Sequence, residues 1–330
     1  MIAVPVSVFD KLLPDLIFAA AWRQGFRPTG ALSPLNSYEN RVYEIGVEDH
    51  PPLIAKFYRP GRWTQEALGE EHRFIMALAG QELPVVEPLL LNEPAEGSPP
   101  TLGRQDDFFF AFYPRVRARQ SAELDAEQRQ QMGRLLARIH MAGEQFPLRH
   151  RLLLSPESYG YASLDFLFTE GFIPEHLCRP LESVLLEAVR LTEPAFNRNV
   201  RPIATHGDCH WGNILWNDKG PLLIDFDDVI SAPAVQDLWM LCSGSPEEIK
   251  SQRKDVLDGY ETFRAFEYES LALIEPLRTL RIIRHAAWIG QRYDEEIFKR
   301  AFPYYLDDRY WESFLLTLKE QIGLMCERAA

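Results

Sequence analysis

Three oxygen-bearing side chains stand out in residues 203–228, IATHGDCHWGNILWNDKGPLLIDFDD. Asp208 follows His206-Gly207, Asn213 lies five positions on, and Asp225 precedes Phe226-Asp227-Asp228. Strand-like stretches at 214–216 and 221–226 flank Asn217-Asp218-Lys219-Gly220, which reads as a hairpin turn. A hairpin brings its ends together, so Asn213 and Asp225 are expected side by side with Asp208 close by. That set suits Mg2+, a hard cation that takes one or two protein oxygens and completes its shell with phosphate oxygens and water. Asp208 is then left to orient an attacking hydroxyl and accept its proton. A metal cluster of His206, Asp208, Cys209 and His210 is the competing reading. It leaves Asn213 and Asp225 unexplained, and residues so close in sequence converge only through a sharp turn.

The Asp-to-Asn interval, and the later Asp before a Phe, match the pattern by which kinases position an acceptor and two metal ions. Lysine usage supports the same chemistry. The chain has seven lysines, and Lys56 is the only one between Lys11 and Lys219. It sits in the apolar run Leu53-Ile54-Ala55-Lys56-Phe57-Tyr58, where strict alternation puts Ile54, Lys56 and Tyr58 on one face. A lysine there is costly unless its charge is paired. One reading is an edge-strand lysine that snorkels to solvent. The other is the kinase lysine, which touches the nucleotide phosphates and pairs with a Glu on the following helix. That helix offers Glu70 and Glu71. Phe74, Ile75 and Leu78 lie three, four and seven residues after Glu71, so Glu71 is the expected partner.

These residues need elements to hold them. Residues 8–24 read as an amphipathic helix closing near Gly25. Residues 40–46, 52–58, 84–91 and 108–113 read as strands, with Pro51-Pro52 in a turn. Residues 64–80 read as a helix with Thr64 as N-cap and Gly80 as its stop. Helical patterns follow at 125–143, 163–169, 180–192, 246–268, 270–293 and 310–327. The fold class is therefore α+β and bilobal, with a small β-rich part (1–113) and a larger, mainly helical part (114–330). A nucleotide loop is expected between the first two strands, around Pro34–Asn40. There is no GxGxxG, and Asn36, Ser37 and backbone N–H groups are the phosphate contacts available. Tyr113-Pro114-Arg115-Val116 is the expected adenine-binding connector.

Composition sets limits. The chain has 330 residues, net charge −13 and 12% aromatic residues. It is too apolar to be disordered, and so acidic a chain lacks the basic footprint of a nucleic-acid binder. Four scattered cysteines form no CxxC pair and read as free thiols of a reducing compartment. The apolar start carries Asp10 and Asp15 and does not read as a signal peptide, and no apolar run is long enough for a membrane helix. Asp237 is expected to begin a helix after Pro233 as its N-cap, or to tie down the Asp208 loop. His140 reads as a packing residue. Arg115, Arg117 and Arg119 read as a solvated edge, and Arg278, Arg281 and Arg284 as partners of acidic neighbours.

HGDCHWGNIL and IDFDD resemble the aminoglycoside phosphotransferase and choline kinase branch of the protein-kinase-like fold. LSPLNSYENRVYEI, LIAKFYRPGRWT, EEHRF, HGDCHWGNILW and PAVQDLWML together resemble the bacterial stress response kinase A (RdoA-type) family, from about residue 30 to 300. The resemblance implies a cytoplasmic, monomeric, Mg2+- and ATP-dependent serine/threonine protein kinase with autophosphorylation, linked to stress survival. It implies Asp208 as proton acceptor, Asn213 and Asp225 as Mg2+ ligands, and Ser37 as an ATP-site residue. Asp227 departs from the Gly of eukaryotic-type kinases, and no long activation segment precedes Asp237. A small-molecule phosphotransferase and a non-catalytic nucleotide sensor are the alternative readings.

Overall fold

A computed structural model describes residues 7–120, 123–197 and 200–329; residues 1–6 of the apolar start fall outside it. Helix α1 (Pro14–Arg23) starts later than the apolar pattern implies, because Pro14 occupies the first helical turn. Phe9 and Leu12 still reach the core, from a turn rather than a helix. Strands β1 (Pro28–Leu35), β2 (Arg41–Val47) and β3 (His50–Phe57) follow. Pro51 and Pro52 lie inside β3, not in a turn; the turn is at Glu48-Asp49, where Asp49 has φ 54°. Helix α2 (Gln65–Ala79) comes next, its Ala67 N–H donated to the Thr64 hydroxyl at 3.2 Å, and Gly80 as C-cap. Strands β4 (Gly103–Gln105) and β5 (Phe108–Pro114) complete an antiparallel sheet of order β1-β2-β3-β5-β4.

The two faces of this sheet do different things. Leu53, Ala55, Phe57, Phe110 and Phe112 pack with Ile17, Ala20 and Ala21 of α1. Lys56 and Tyr58 point the other way, toward α2. Residues 84–91 are not a strand. Pro84 and Pro88 remove two ladder donors, and β5 already pairs with β3 at Phe110–Pro114 and with β4 at Phe108–Phe110. The segment instead stitches sheet to hairpin: Leu89 N donates to Phe112 O at 2.7 Å, and Leu223 N to Pro84 O at 3.0 Å.

The helical part runs α3 (Ala126–Glu144), α4 (Ala162–Thr169) and α5 (Glu175–Phe196). Short strand β6 (Ile203–Thr205), the hairpin β7 (Ile214–Asn217) and β8 (Gly220–Leu223), and β9 (Ile230–Ala232) come next. The second hairpin strand ends at Leu223, short of 226, because Asp225 takes a left-handed conformation. Helix α6 (Pro246–Tyr260) stops well before 268; Phe266 turns back to meet Tyr260 edge-to-face, 5.7 Å between ring centres. Then come α7 (Ile274–Gly290), α8 (Glu296–Ala301) and α9 (Asp308–Ala329). Helix α2 belongs to both parts: its Phe74, Ile75 and Leu78 join the main core with Leu136, Leu223 and Phe226. Among the described residues no helix is long and apolar enough to cross a membrane.

Candidate active site

The loop between β6 and β7 carries Asp208, and its backbone is held from below. The fully buried Asp237 carboxylate accepts the N–H groups of His206 (2.8 Å) and Gly207 (2.9 Å) and also meets His140 Nε2 at 3.1 Å. Asp237 ends a short 3-10 turn, Ala234–Asp237, rather than starting a helix, so its task is the tie. Gly207 has φ 84°, and a Cβ there would lie 2.1 Å from the Asp228 carbonyl oxygen. Only glycine lets the loop turn this close to its neighbour. Replacing Asp237 by Ala strands two buried N–H groups. The expected loss is about 2–4 kcal/mol of stability, read as a lower urea midpoint.

Asp208 sits between two nitrogen donors. Arg281 Nη1 of α7 lies 2.6 Å from Oδ1, and His210 Nε2 lies 3.2 Å from Oδ2. His210 accepts the Gly212 N–H at Nδ1 (2.9 Å), which leaves Nε2–H to face the carboxylate. Burial opposes ionisation of Asp208, but the His210 hydrogen bond and the Arg281 charge outweigh it and hold the pKa well below the usual range. His206 is set in the same way: Nδ1 accepts Asp208 N–H at 3.3 Å, and Nε2–H donates to Ile224 O at 2.9 Å. The two histidines therefore orient the loop from both sides.

Asn213 and Asp225 meet at the open end of the hairpin, where Ile224 N donates to Asn213 O at 3.1 Å. Asn213 Nδ2 donates to Asp208 O at 3.0 Å, which turns its side-chain oxygen away from that carbonyl. Asp225 has φ 60°, ψ 65° and a half-exposed carboxylate. Asp and Asn are among the few residues that hold this conformation readily. Two oxygen donors with no thiol or imidazole between them fit a hard, phosphate-bound cation better than a soft one. Among the described residues, no group of three or more His, Cys, Asp or Glu forms a closed metal cluster, so the alternative of His206, Asp208, Cys209 and His210 falls away.

Lys56 reaches the same place from the sheet. Its Nζ lies 2.8 Å from Asp225 Oδ1, 3.4 Å from Asp227 Oδ1 and 3.7 Å from Glu71 Oε1. Burial disfavours its charge, but these three carboxylates raise its pKa well above the ordinary value. It is not a snorkelling edge residue. Glu71 is on the face expected of it, but shares Lys56 with two aspartates and is held by Arg151 Nη2 at 2.6 Å. Glu70 does something else: it accepts the backbone N–H groups of Arg149, His150 and Arg151 at 2.7–3.0 Å. Arg62 binds Asp227, and Asp228 at 2.5 Å. Burial resists the Asp227 charge, yet Arg62, Lys56 and Arg151 keep it ionised.

A buried chain of hydrogen bonds backs Glu71. Tyr58 OH donates to Glu71 Oε1 at 3.0 Å. His72 Nε2 lies 2.9 Å from that phenol oxygen, and Nδ1 lies 2.7 Å from the Thr101 hydroxyl. Since the phenol gives its proton to Glu71, His72 donates from Nε2 and accepts at Nδ1. Burial, with Lys56 and Arg151 nearby, pushes His72 down from 6.5 to about 3. The unfolded chain thus binds a proton through a window in which the folded chain does not, and stability falls as pH drops from about 6.5 toward 3. His72→Gln should flatten that dependence. Urea midpoints at pH 7, 6 and 5 check it, and an unaltered slope in the variant contradicts it.

Asn36 and Ser37 lie in the β1–β2 loop; Asn36 is exposed and Ser37 half-buried. The loop is pinned by its neighbours. Arg59 donates to Glu39 O (3.1 Å), Arg41 to Tyr38 O (3.3 Å) and Asn40 O (3.1 Å), and the Asn40 side chain accepts Arg59 N–H (3.0 Å). Glu39 also bonds across the cleft to Trp288 Nε1 (2.5 Å) and Arg292 (2.8 Å). Beyond β5, Arg119 exchanges backbone hydrogen bonds with Trp216 of β7 (3.0 and 2.8 Å), which ties the connector to the hairpin. Arg115 pairs with Glu44 and is more than half exposed.

Arg62, Asp227, Arg151 and Arg281 are the charged members that sequence patterns did not single out for this site. Arg62 lies in the RPGRWT segment just after Lys56, and Asp227 beside Asp225. Arg151 carries no local signal, and the spacing of Arg278, Arg281 and Arg284 points to acidic partners without singling out Asp208.

Residues 31–274 match the phosphotransferase enzyme family, APH. Stress response kinase A of Escherichia coli O157:H7 is 35% identical over 319 residues, 97% of this chain and 95% of that protein. Serine/threonine protein kinase RdoA of Salmonella typhimurium (strain LT2) is 35% identical over 322 residues, again 97% and 95%. Among solved structures, amicoumacin kinase hAmiN in complex with AMP-PNP and Ca2+ superposes with a TM-score of 0.70 at 18% identity, covering 89% of this chain and 92% of the other. The kinase-like fold, the converging carboxylates and the nearly full-length match lead to one assignment: the chain belongs to the phosphotransferase enzyme family, in its stress response kinase A group.

Proposed function

We propose that the protein is an ATP- and Mg2+-dependent serine/threonine protein kinase that also phosphorylates itself. The observation that carries this is the convergence of Lys56, Asp208, Asn213 and Asp225 at one cleft. Asp208 orients the acceptor hydroxyl and takes its proton as the oxygen attacks the γ-phosphorus and the bond to the β-phosphate oxygen breaks. Lys56, steadied by Glu71, binds the nucleotide phosphates. Asn36 and Ser37 lie on the loop above them. Asn213 and Asp225 hold Mg2+, which when bound offsets the charge on the phosphate oxygens. A protein acceptor is supported by the name of the Salmonella relative, and a role in stress by that of the Escherichia relative. We place the enzyme in the cytoplasm as a monomer; the four free cysteines support a reducing compartment.

Labelled ATP with Mg2+ should label both the chain itself and an added protein substrate at Ser or Thr. Phosphate transfer only to small alcohols would overturn the protein-kinase reading in favour of a small-molecule phosphotransferase. Nucleotide binding without transfer to any acceptor would overturn both.

A further inference from the structure

Helix α7 lays one face along the acceptor side of the cleft. Arg278, Arg281, Arg284 and Trp288 recur at spacings of three or four and share that face, and Arg292 follows in the turn after the helix. Three of these arginines have carboxylate partners: Arg278 with Glu275 (3.2 Å), Arg281 with Asp208 (2.6 Å) and Arg292 with Glu39 (2.8 Å). Arg284 does not. Among the described residues it has no ion pair, and its guanidinium carbon lies over the Tyr159 ring, 4.4 Å from the ring centre. Arg284 lies one helical turn beyond Arg281, whose Nη1 is 2.6 Å from Asp208 Oδ1, so it stands on the same face as the contact to the reacting carboxylate. Asp208 is already matched by Arg281, and Asp228 by Arg62. Charge beside Asp208 is therefore not acidic, as a cationic acceptor would need, but carries an unmatched guanidinium. The chain's overall −13 charge gives no hint of this.

Geometry strengthens the point. Arg281 and Arg284 are one helical turn apart, about 4.5 Å along the axis. An extended peptide advances roughly 3.3 Å per residue. In an acceptor chain that runs along α7, a hydroxyl docked on Asp208 places the next one or two residues beside Arg284. Planar guanidinium groups bind carboxylate and phosphate with two parallel hydrogen bonds. When the hydroxyl approaches Asp208, it also competes with Arg281 for that carboxylate, and a neighbouring anion gives Arg281 a replacement partner.

We infer that Arg284, together with Arg281, forms an anion-recognising subsite, and that the preferred acceptor is a protein segment with a carboxylate or phosphate next to the target Ser or Thr. This rests on the protein-kinase reading. The test uses peptides with a single Ser flanked by Asp, phosphoserine, Ala or Lys, and the wild type beside Arg284→Gln and Arg284→Glu. The wild type should favour the Asp or phosphoserine peptide over the Ala peptide by about tenfold in kcat/KM. Arg284→Gln should erase that preference and Arg284→Glu invert it toward Lys, with KM for ATP unchanged. The Asp and phosphoserine arms separate the two anion sources. Should the variants fold poorly in a thermal melt, the wild type alone decides: added KCl should shrink its acidic preference. Equal or basic-favouring transfer by the wild type overturns the subsite and leaves the kinase reading standing. No transfer to any peptide, with a small alcohol phosphorylated instead, overturns both.

Discussion

Replacing Asp208 by Asn should slow phosphate transfer by about 10²–10⁴-fold while leaving nucleotide affinity nearly unchanged. The substitution keeps the side chain's shape, so His210 Nε2–H can still donate to an oxygen and the Asp237 tie beneath the loop is untouched. What disappears is the charge that Arg281 and His210 hold in place, and with it the acceptor for the hydroxyl proton. Lys56, Asn213 and Asp225 remain, so nucleotide and metal should still bind. Single-turnover transfer of label from ATP separates the two steps. A rate within threefold of wild type would remove Asp208 from its proposed role.

Asp225→Asn should lower Mg2+-dependent turnover by at least ~10³-fold, several kcal/mol of barrier. Asn is the better probe than Ala here, because it tolerates the left-handed backbone at φ 60°. Lys56 loses its nearest carboxylate but keeps Asp227 at 3.4 Å and Glu71 at 3.7 Å, so its charge stays paired. The fold should therefore persist, and the loss should appear as a weaker response of rate to Mg2+. A variant that saturates at the wild-type Mg2+ concentration with a near-normal rate would contradict the metal assignment.

Features written locally were the legible ones. Thr64 and Gly80 bracket α2 because capping depends on residues a few positions apart. The face of Glu71 and the meeting of Asn213 with Asp225 follow from helix and hairpin periodicity alone. Strand β1, PTGALSPL, has no strand signature of its own: two prolines and a glycine interrupt it, and pairing with β2 makes it a strand. Residues 84–91 misled in the opposite sense, since their apolar run serves packing and stitching, not a ladder. Arg151 and Arg281 meet Glu71 and Asp208 at separations of 80 and 73 positions in the chain, and no local pattern encodes a contact of that separation.

The arginine-pinned loop over the cleft bears on the entropy of nucleotide binding. A glycine-rich loop is free before it closes, and ordering it subtracts from affinity. Here the carbonyls of Tyr38, Glu39 and Asn40 are already fastened by Arg41 and Arg59, and Glu39 is anchored to α7 and the turn after it. Most of that ordering happens when the chain folds, so under the proposed function the nucleotide meets a roof whose shape is settled in advance.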